Sequence, residues 1–238
     1  MSVKKTRKQI AKEKEKLAVI TDGCNPELVE GAEFDGLFEI PIIKKPKKIM
    51  IPKGMVPFSE MDRVAPEKFA VCEYELDREF ADLLRYTDNY VGELKKYQAF
   101  VSPDASLYWD MPFAAQIVNK YRSQAIGYYM QRKGIYVIPN VRWGDERTYT
   151  TKQFPEKLAF LGVEKHSIVS IGSYGVIKSK EEKKHFRAGL EAMLETLEPE
   201  TVLVYGSMPD EIFGDYWDQT EFVRYPDWTT YIRSENNG

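Results

Sequence analysis

The sequence predicts an α/β fold, with a mostly parallel sheet of about six or seven βα units preceded by an irregular N-terminal arm. After Pro66, short apolar runs alternate with longer amphipathic segments, as in strands joined by crossover helices. Before Pro66, closely spaced Pro and Gly residues exclude a long helix. The 238 residues suffice for one large domain at roughly 150 residues per domain. We therefore predict a basic tail and Pro/Gly-rich arm over residues 1–66, packing on an α/β domain over residues 67–238.

The predicted strands are apolar runs that are short and bounded by polar or turn-forming residues. In chain order they are Phe69–Glu73, Gln98–Ser102, Ile135–Pro139, Ser167–Ile171, Thr201–Tyr205 and Glu221–Arg224. Ile49–Ile51, which lies in the arm, is a further candidate strand.

Two long helices have clear end signals. The first spans Asp110–Lys133, with Asp110 as its N-cap and Gly134 as its C-terminal stop. The second starts after Ser179, which forms the capping-box pattern S-x-x-E with Glu182, and ends before Pro199. Shorter helical segments are predicted at Asp77–Tyr86, Pro155–Leu161 and Asp210–Trp217.

Right-handed crossovers allow two arrangements of these units, an incomplete TIM-barrel-like sheet or an open doubly wound sheet. Long polar loops after several strands favour the barrel-like arrangement, in which the arm could fill a missing position. In both arrangements, the carboxyl ends of the parallel strands form the ligand-binding edge.

Composition and charge exclude several classes of protein. Hydrophobic residues make up 43% of the chain and charged residues 30%, which excludes collagen-like and wholly disordered chains. No apolar run approaches the roughly 18 residues of a membrane span, and residues 1–16 lack the apolar region of a signal peptide. Cys24 and Cys72 form no CxxC pair. We expect a cytoplasmic protein with reduced thiols and no membrane partner.

The N-terminal tail is strongly basic, with seven Lys and Arg residues between Lys4 and Lys16. Such a tail could bind nucleic acid through its phosphates, but a solvated, frayed terminus has the same composition. A nucleic-acid partner is therefore one of two interpretations of this segment.

Polar side chains follow the predicted strands, where the ligand-binding edge would lie. The candidate binding residues are Ser102, Asn140, Arg142, Trp143, Ser173, Tyr174 and Ser207, and the candidate catalytic residues are Asp104 and Asp145. Carboxylates, an arginine, hydroxyls and an indole together suit a polar, partly planar ligand. The implied partner is a small anionic ligand such as a nucleotide.

The segment PNVRWGD carries the most specific chemistry of this edge. Arg142 can bind a phosphate or carboxylate with its two-pronged guanidinium, and Trp143 can stack on a base or sugar. Asp145 can accept a proton from the ligand or hold Arg142. The structural alternative is an exposed turn at Gly144 with an Arg142–Asp145 salt bridge.

Asp104 has two interpretations as well. It could pair with Asp145 as acid and base or nucleophile, with the separation of the two carboxylates deciding the mechanism. It could instead form an Asx turn or helix cap after Pro103.

Several signatures of catalysis and cofactor binding are absent from the sequence. There is no G-x-x-x-x-G-K-[ST], no G-x-G-x-x-G and no G-x-S-x-G. His166 and His185 do not directly follow predicted strands, so a Ser-His-Asp triad or a histidine metal cluster is not expected. No cofactor is predicted, although a carboxylate-bound Mg²⁺ is allowed by the residue types.

The segments VSPDAS, PNVRWGD, SIGSYG and VYGSMPD, together with the tyrosine-rich helix before PNVRWGD, resemble a known family. It is the uncharacterised phage and mobile-element family catalogued as domain of unknown function 4417. The resemblance covers about Val71–Tyr205 and implies a phage or mobile-element context, hence the host cytoplasm if phage-encoded. It supplies no activity or catalytic residue.

Two functions follow from these features. The first is an enzyme that acts on a nucleotide, nucleoside or nucleic-acid component through the carboxylate and arginine pocket. The alternative is a non-catalytic protein that sequesters a nucleotide ligand or inhibits a host protein. The 15 tyrosines, 12 phenylalanines and 4 tryptophans also allow an exposed aromatic surface and a homodimer.

Overall fold

Short strands and helices alternate along residues 23–236, the part of the chain that the computed structural model describes. The strands are β1 (Phe34–Asp35), β2 (Ile40–Pro41), β3 (Gly54–Pro57), β4 (Phe69–Cys72), β5 (Ala99–Val101), β6 (Val137–Ile138), β7 (Ile168–Gly172), β8 (Thr201–Tyr205) and β9 (Glu221–Tyr225). The α-helices are α1 (Ala81–Arg85), α2 (Val91–Leu94), α3 (Phe113–Arg132), α4 (Glu146–Tyr149), α5 (Lys180–Leu197), α6 (Asp210–Phe213) and α7 (Trp228–Asn236). The predicted basic tail between Lys4 and Lys16 lies outside these residues.

The strands form two parallel sheets and one small antiparallel pair. The first parallel sheet has the order β3-β4-β5-β6, and the second has the order β7-β8-β9. An isolated parallel bridge between Asn140 and Ser170 links the edge of the first sheet to the edge of the second. Strands β1 and β2 pair antiparallel in the arm. The predicted, largely parallel α/β fold is therefore confirmed.

The finer architectural prediction, an incomplete TIM-barrel-like sheet, stays a prediction. The strands of the described region do not close into a barrel, and their pairing gives no clear evidence of a TIM-barrel arrangement. Strands in each sheet follow chain order, so neither sheet has the reversal of strand order that defines a doubly wound fold. Between β6 and β7, the described residues pair only through the single Asn140–Ser170 bridge.

Apolar side chains from both parallel sheets meet in a shared core. This cluster comprises Met55, Ala70, Cys72, Tyr74, Ala99, Val101, Ile138, Ile168, Leu203, Tyr205 and Tyr225. Two further clusters lie on either side of it, one packed around α3 and the first sheet and one around α5 and the second sheet. Burial of apolar area in these three clusters is the main favourable contribution to folding.

The two long helices follow the predicted end signals only in part. Ser179 and Glu182 form the complete capping box of α5, and Glu198 ends the helix in a left-handed conformation before Pro199. In contrast, α3 starts after Pro112, so Asp110 is not its N-cap. Pro112 fixes φ at a value that suits the start of a helix, and it limits α3 at that point.

Differences from the predicted elements are concentrated in the arm and the short helices. The first strand of the parallel sheet is β3, whereas Ile49–Ile51 forms no strand. The sheet therefore begins before the predicted domain boundary at Pro66. The helix predicted at Asp77–Tyr86 is divided into a 3₁₀ turn and α1, and Pro155–Leu161 contains only a 3₁₀ turn at Leu158–Phe160.

Within residues 23–236, no helix combines the length and the apolar character needed to cross a bilayer.

Gly189 allows α5 to lie directly against the loop after β6. A Cβ atom at this position would lie 2.2 Å from Trp143 Nε1, far inside van der Waals contact. We expect Gly189→Ala to lower the free energy of unfolding by about 1–3 kcal/mol, because the buried indole must shift. Urea unfolding followed by tryptophan fluorescence measures this loss.

The matched control is Gly92→Ala in α2, where a Cβ atom would meet no atom within 4 Å. This variant should keep or raise stability, since alanine favours helix over glycine. Equal stability changes in the two variants would contradict the close contact at Gly189.

Candidate functional site

Asn140 is the centre of a buried hydrogen-bond network at the carboxyl ends of β5 and β6. Its backbone N–H donates to Ser102 Oγ at 2.8 Å, and its side-chain amide donates to Asp104 Oδ1 at 2.8 Å. The Tyr74 hydroxyl donates to Asn140 Oδ1 at 3.0 Å and accepts a hydrogen bond from Ser170 Oγ at 2.7 Å. The Asn140 side chain thus connects Asp104, which follows β5, with Tyr74, which follows β4. Tyr74 in turn contacts Ser170 of β7.

Asp104 and Arg142 form a partly buried ion pair beside this network. Arg142 Nη1 donates to Asp104 Oδ2 at 2.6 Å, and the side chains are 19% and 7% exposed, respectively. Burial raises the pKa of Asp104 above its usual value, although Arg142 and the Asn140 amide both act to lower it. The pKa of Asp104 therefore lies above that of an exposed aspartate even though the carboxylate faces a cation.

This ion pair lines a pocket with a cavity volume of about 390 Å³, within the range of small-molecule sites. Its walls come from four parts of the chain, namely the loop after β5, the residues after β6, the end of β7 with the loop that follows it, and the first turns of α5. The lining residues include Asp104, Tyr108, Trp109, Val141, Arg142, Trp143, Gly144, Ser179, Glu181, Glu182, His185 and Phe186. Asp104, Arg142 and Trp143 are predicted site residues that the structure brings together.

Asp145 has a different environment from Asp104. It is the N-cap of α4, where it accepts hydrogen bonds from the Arg147 backbone N–H and guanidinium and from Gln116 Nε2. Burial acts to raise the pKa of Asp145, but the hydrogen bonds from Arg147 and Gln116 outweigh it and lower the pKa. Among the described residues that line the pocket, Asp145 is not present. The structure does not bring the two predicted catalytic carboxylates into one pocket.

The structural alternative predicted for this segment, a salt bridge between Arg142 and Asp145, is therefore wrong. Arg142 pairs with Asp104, and Asp145 pairs with Arg147 at 2.7 Å. The cause is local, because the first turn of α4 places the Arg147 backbone and guanidinium over the Asp145 carboxylate.

Trp143 contributes mainly to the core at the pocket wall. Its side chain is only 9% exposed, and its ring lies 5.0 Å from that of Phe186. Gly189 packs against the same indole. An indole that is covered in this way offers little free face for a stacked ligand, whereas Trp109 in the same pocket is 64% exposed.

The remaining predicted binding residues have separate positions. Ser102 is fully buried and accepts the Asn140 N–H. Ser173 is also buried, and its hydroxyl donates to the Ser207 carbonyl at 2.7 Å, which ties the ends of β7 and β8 together. Tyr174 is exposed and packs edge-on against Tyr205. None of these four predicted residues (Ser102, Ser173, Tyr174 and Ser207) is among the described pocket-lining residues.

Pocket residues missed from the sequence come from the loop before α3 and from the start of α5. Tyr108 and Trp109 belong to the first group, and Glu181, Glu182 and His185 belong to the second. A usable signal existed for the second group, since the helix that follows a parallel strand begins at the edge where that strand ends. His185 lies in the second turn of that helix and reaches the pocket without following a strand directly.

Helix α3 directs polar side chains inward, toward the strand ends. Gln116, Lys120, Ser123 and Gln124 are all buried. Ser123 Oγ lies 3.3 Å from Ser102 Oγ. Burial lowers the pKa of Lys120 to about 7, although Asp35 acts to raise it.

Among the described residues, no group of three or more His, Cys, Asp or Glu side chains is arranged to hold a metal ion. The carboxylate-bound Mg²⁺ allowed by the sequence stays a prediction.

The fold and the site define an α/β protein with a ligand-sized pocket at the carboxyl ends of parallel strands. The chain belongs to the family described as "Domain of unknown function (DUF4417)", whose model matches residues 32–226. The family resemblance inferred from the sequence motifs is therefore confirmed. No solved structure gives a significant match.

Two curated relatives are phage proteins. The chain is 34% identical to the Gene 1 protein of Mycobacterium phage L5 over 139 residues, which are 58% of this chain and 56% of the relative. It is 31% identical to the Gene 1 protein of Mycobacterium phage D29 over 152 residues, which are 60% of this chain and 54% of the relative. The chain spans about half the length of the curated relatives it matches. These matches support a phage association.

Glu73, directly after β4, is a fully buried carboxyl group. Neither of its oxygens has a hydrogen-bond partner in the described structure. Burial, followed by the nearby Glu75 and Asp104 carboxylates, raises the pKa of Glu73 well above its usual value. The folded protein therefore favours the neutral acid at this position.

This environment predicts a pH-dependent stability. Above a pH of about 4.3 the unfolded state gains an ionised Glu73 that the folded state disfavours, so the contribution of Glu73 to stability decreases as pH rises. We expect Glu73→Gln to be more stable than the wild type at pH 8 by about 1–3 kcal/mol, with a smaller difference at pH 5. Urea unfolding at both pH values measures it.

Glu67→Gln is the control, since Glu67 is exposed, and it should leave the pH dependence unchanged. The same pH dependence for the wild type and for Glu73→Gln would show that Glu73 is not held neutral.

Proposed function

We propose that the protein binds and acts on a nucleoside or another nucleic-acid component in the pocket after β6. The observation that carries this proposal is the partly buried Asp104–Arg142 ion pair, which lines the same pocket as an exposed tryptophan. Arg142 supplies hydrogen-bond donors for a polar edge of the ligand, and Trp109 supplies an aromatic face for stacking.

The stacking role belongs to Trp109 rather than to Trp143. Trp109 is 64% exposed, whereas Trp143 is 9% exposed and packed against Phe186. Base–aromatic stacking needs a free ring face, and it contributes about 1–3 kcal/mol per base. Trp143 then stabilises the wall that holds Arg142, its neighbour in sequence.

Proton transfer belongs to Asp104 rather than to Asp145. Burial raises the pKa of Asp104, while the hydrogen bonds from Arg147 and Gln116 lower the pKa of Asp145. A general acid or base works best when its pKa is near the working pH. Asp104 also lines the pocket, as does His185 from the second turn of α5.

A non-catalytic binding protein is the second candidate function. It is favoured by the hydrogen bonds of Asp104, whose two carboxylate oxygens already accept from Arg142 and Asn140. In that case the ion pair is a rigid part of the binding wall, and the ligand leaves unchanged. A nucleic-acid partner, a host-protein partner, homodimer formation and a cytoplasmic location stay predictions.

The first test compares two exposed tryptophans. Isothermal titration of the purified protein against the common nucleosides and nucleotides should detect binding, and Trp109→Ala should weaken it about tenfold or more because a stacked base is worth about 1–3 kcal/mol. Trp217→Ala is the matched control, since Trp217 is 43% exposed but does not line the pocket. It should bind as the wild type does.

Absence of binding to every compound, or equal losses in both variants, would contradict the proposed function. Chromatography of the recovered ligand separates the two candidates. Turnover by the wild type that is lost in Asp104→Asn supports the enzyme, and an unchanged ligand supports the binding protein.

A further inference from the structure

The charge of the pocket opposes a phosphate at its centre. Its titratable acids are Asp104, Glu181 and Glu182, and the guanidinium of Arg142 is the only Lys or Arg side chain among the described lining residues. Hydrogen bonds in the capping box with Ser179 lower the pKa of Glu182, so this carboxylate stays ionised at neutral pH. Asp104 already neutralises Arg142 at 2.6 Å. A doubly charged phosphate would meet more negative than positive charge.

Arg142 nevertheless has donors to offer. Its Nη1 bonds Asp104, and no other hydrogen-bond partner for this guanidinium is recorded among the described residues. The side chain is 19% exposed and lines the pocket. The remaining N–H groups suit two adjacent neutral acceptors, because a guanidinium is a planar fork of five donors.

Glu181 supplies acceptors to the same pocket. It lies in the first turn of α5, is exposed, and has no ion-pair partner recorded among the described residues. A carboxylate accepts hydrogen bonds only. It therefore suits a ligand edge that carries N–H donors and disfavours an edge of acceptors.

A flat aromatic ligand fits the remaining walls. Tyr108 and Trp109 both line the pocket and are both exposed. The Arg142 guanidinium carbon lies 5.9 Å from the centre of the Tyr108 ring, which holds the guanidinium near the aromatic wall. A ligand stacked on these rings would present its edges, not its face, to Arg142 and Glu181.

Building on the proposed function, we infer that the pocket selects a guanine-type base, whose acceptor pair binds Arg142 and whose donor edge binds Glu181, and leaves any phosphate outside. Guanine has two adjacent acceptors, O6 and N7, and pairs with arginine through them. Its N1–H and N2–H groups form a separate donor edge. Adenine has a donor in place of O6, so it cannot satisfy the same fork.

Lys178 and Lys180 do not alter this assignment. They flank Ser179 in the chain but are exposed and are not among the described pocket-lining residues. The phosphate of a bound nucleotide would lie outside the pocket, where these lysines are. The base of the nucleotide would lie between Arg142 and Glu181.

The experiment measures dissociation constants by isothermal titration for guanosine, inosine, 7-deazaguanosine, adenosine, cytidine and inorganic phosphate. We expect guanosine to bind best, and 7-deazaguanosine and inosine each to bind about tenfold more weakly, since each loses one hydrogen bond to a charged group. Inorganic phosphate should neither bind in the pocket nor displace guanosine.

Two variants test the roles of the side chains. Arg142→Lys keeps the charge but loses the fork, so it should abolish the preference for guanosine over adenosine. Glu181→Gln should bring inosine and guanosine to similar affinities, while Glu191→Gln, an exposed residue on the same helix, should bind as the wild type does.

The outcomes separate this inference from the proposed function. Binding of adenosine or cytidine as tightly as guanosine, with loss in Trp109→Ala, would overturn the base preference and leave the proposed function standing. Phosphate binding that depends on Arg142 without any nucleoside binding would overturn both, as would no binding at all by a folded protein.

Discussion

The structure depends on the way in which Asn140 satisfies buried polar groups from several strands at once. Among the described residues, Asn140 pairs with Ser170 in the bridge between the two parallel sheets, whose hydrogen bonds come from the backbones of Pro139 and Val141. The Asn140 side chain bonds Asp104 and Tyr74. A buried amide or carboxylate without a partner costs several kcal/mol. Since Asn140 lies at the bridge between the sheets and bonds Asp104, Asp104 and Arg142 are held where the strands end, and the pocket has a polar wall.

Burial explains the different states of the carboxyl groups around this wall. Glu73 has no hydrogen-bond partner among the described contacts, and burial raises its pKa well above the usual value. Asp104 keeps a cation and an amide as partners, yet burial still raises its pKa. Asp145 is more exposed and its pKa is lowered by Arg147 and Gln116. The chemistry of each acid follows from its partners and its access to water, not from its position after a strand.

Local sequence patterns predicted the elements better than the contacts between them. Thr201–Tyr205 forms a strand with the predicted bounds, and Ser179 and Glu182 form the predicted capping box, because apolar runs and caps act within a few residues. Other features depend on contacts between segments that are distant in sequence. They are the partner of Arg142, the bridge at Asn140 and the inward polar face of α3. Gln116 and Lys120 on that helix are buried although they are polar. Gln116 bonds Asp145, which is distant in sequence, and no local periodicity reveals such a contact.

A double-mutant cycle on Asp104→Asn and Arg142→Met tests the central claim, that a partly buried ion pair forms the wall of the site. Urea unfolding of the wild type, both single variants and the double variant gives the coupling free energy. We predict a loss of about 3 kcal/mol in Arg142→Met, which leaves the buried Asp104 carboxylate without its cation, and a smaller loss in Asp104→Asn, since Arg142 is partly exposed. The loss in the double variant should be smaller than the sum of the two single losses by at least about 1 kcal/mol. Losses that add within about 0.5 kcal/mol would contradict the account.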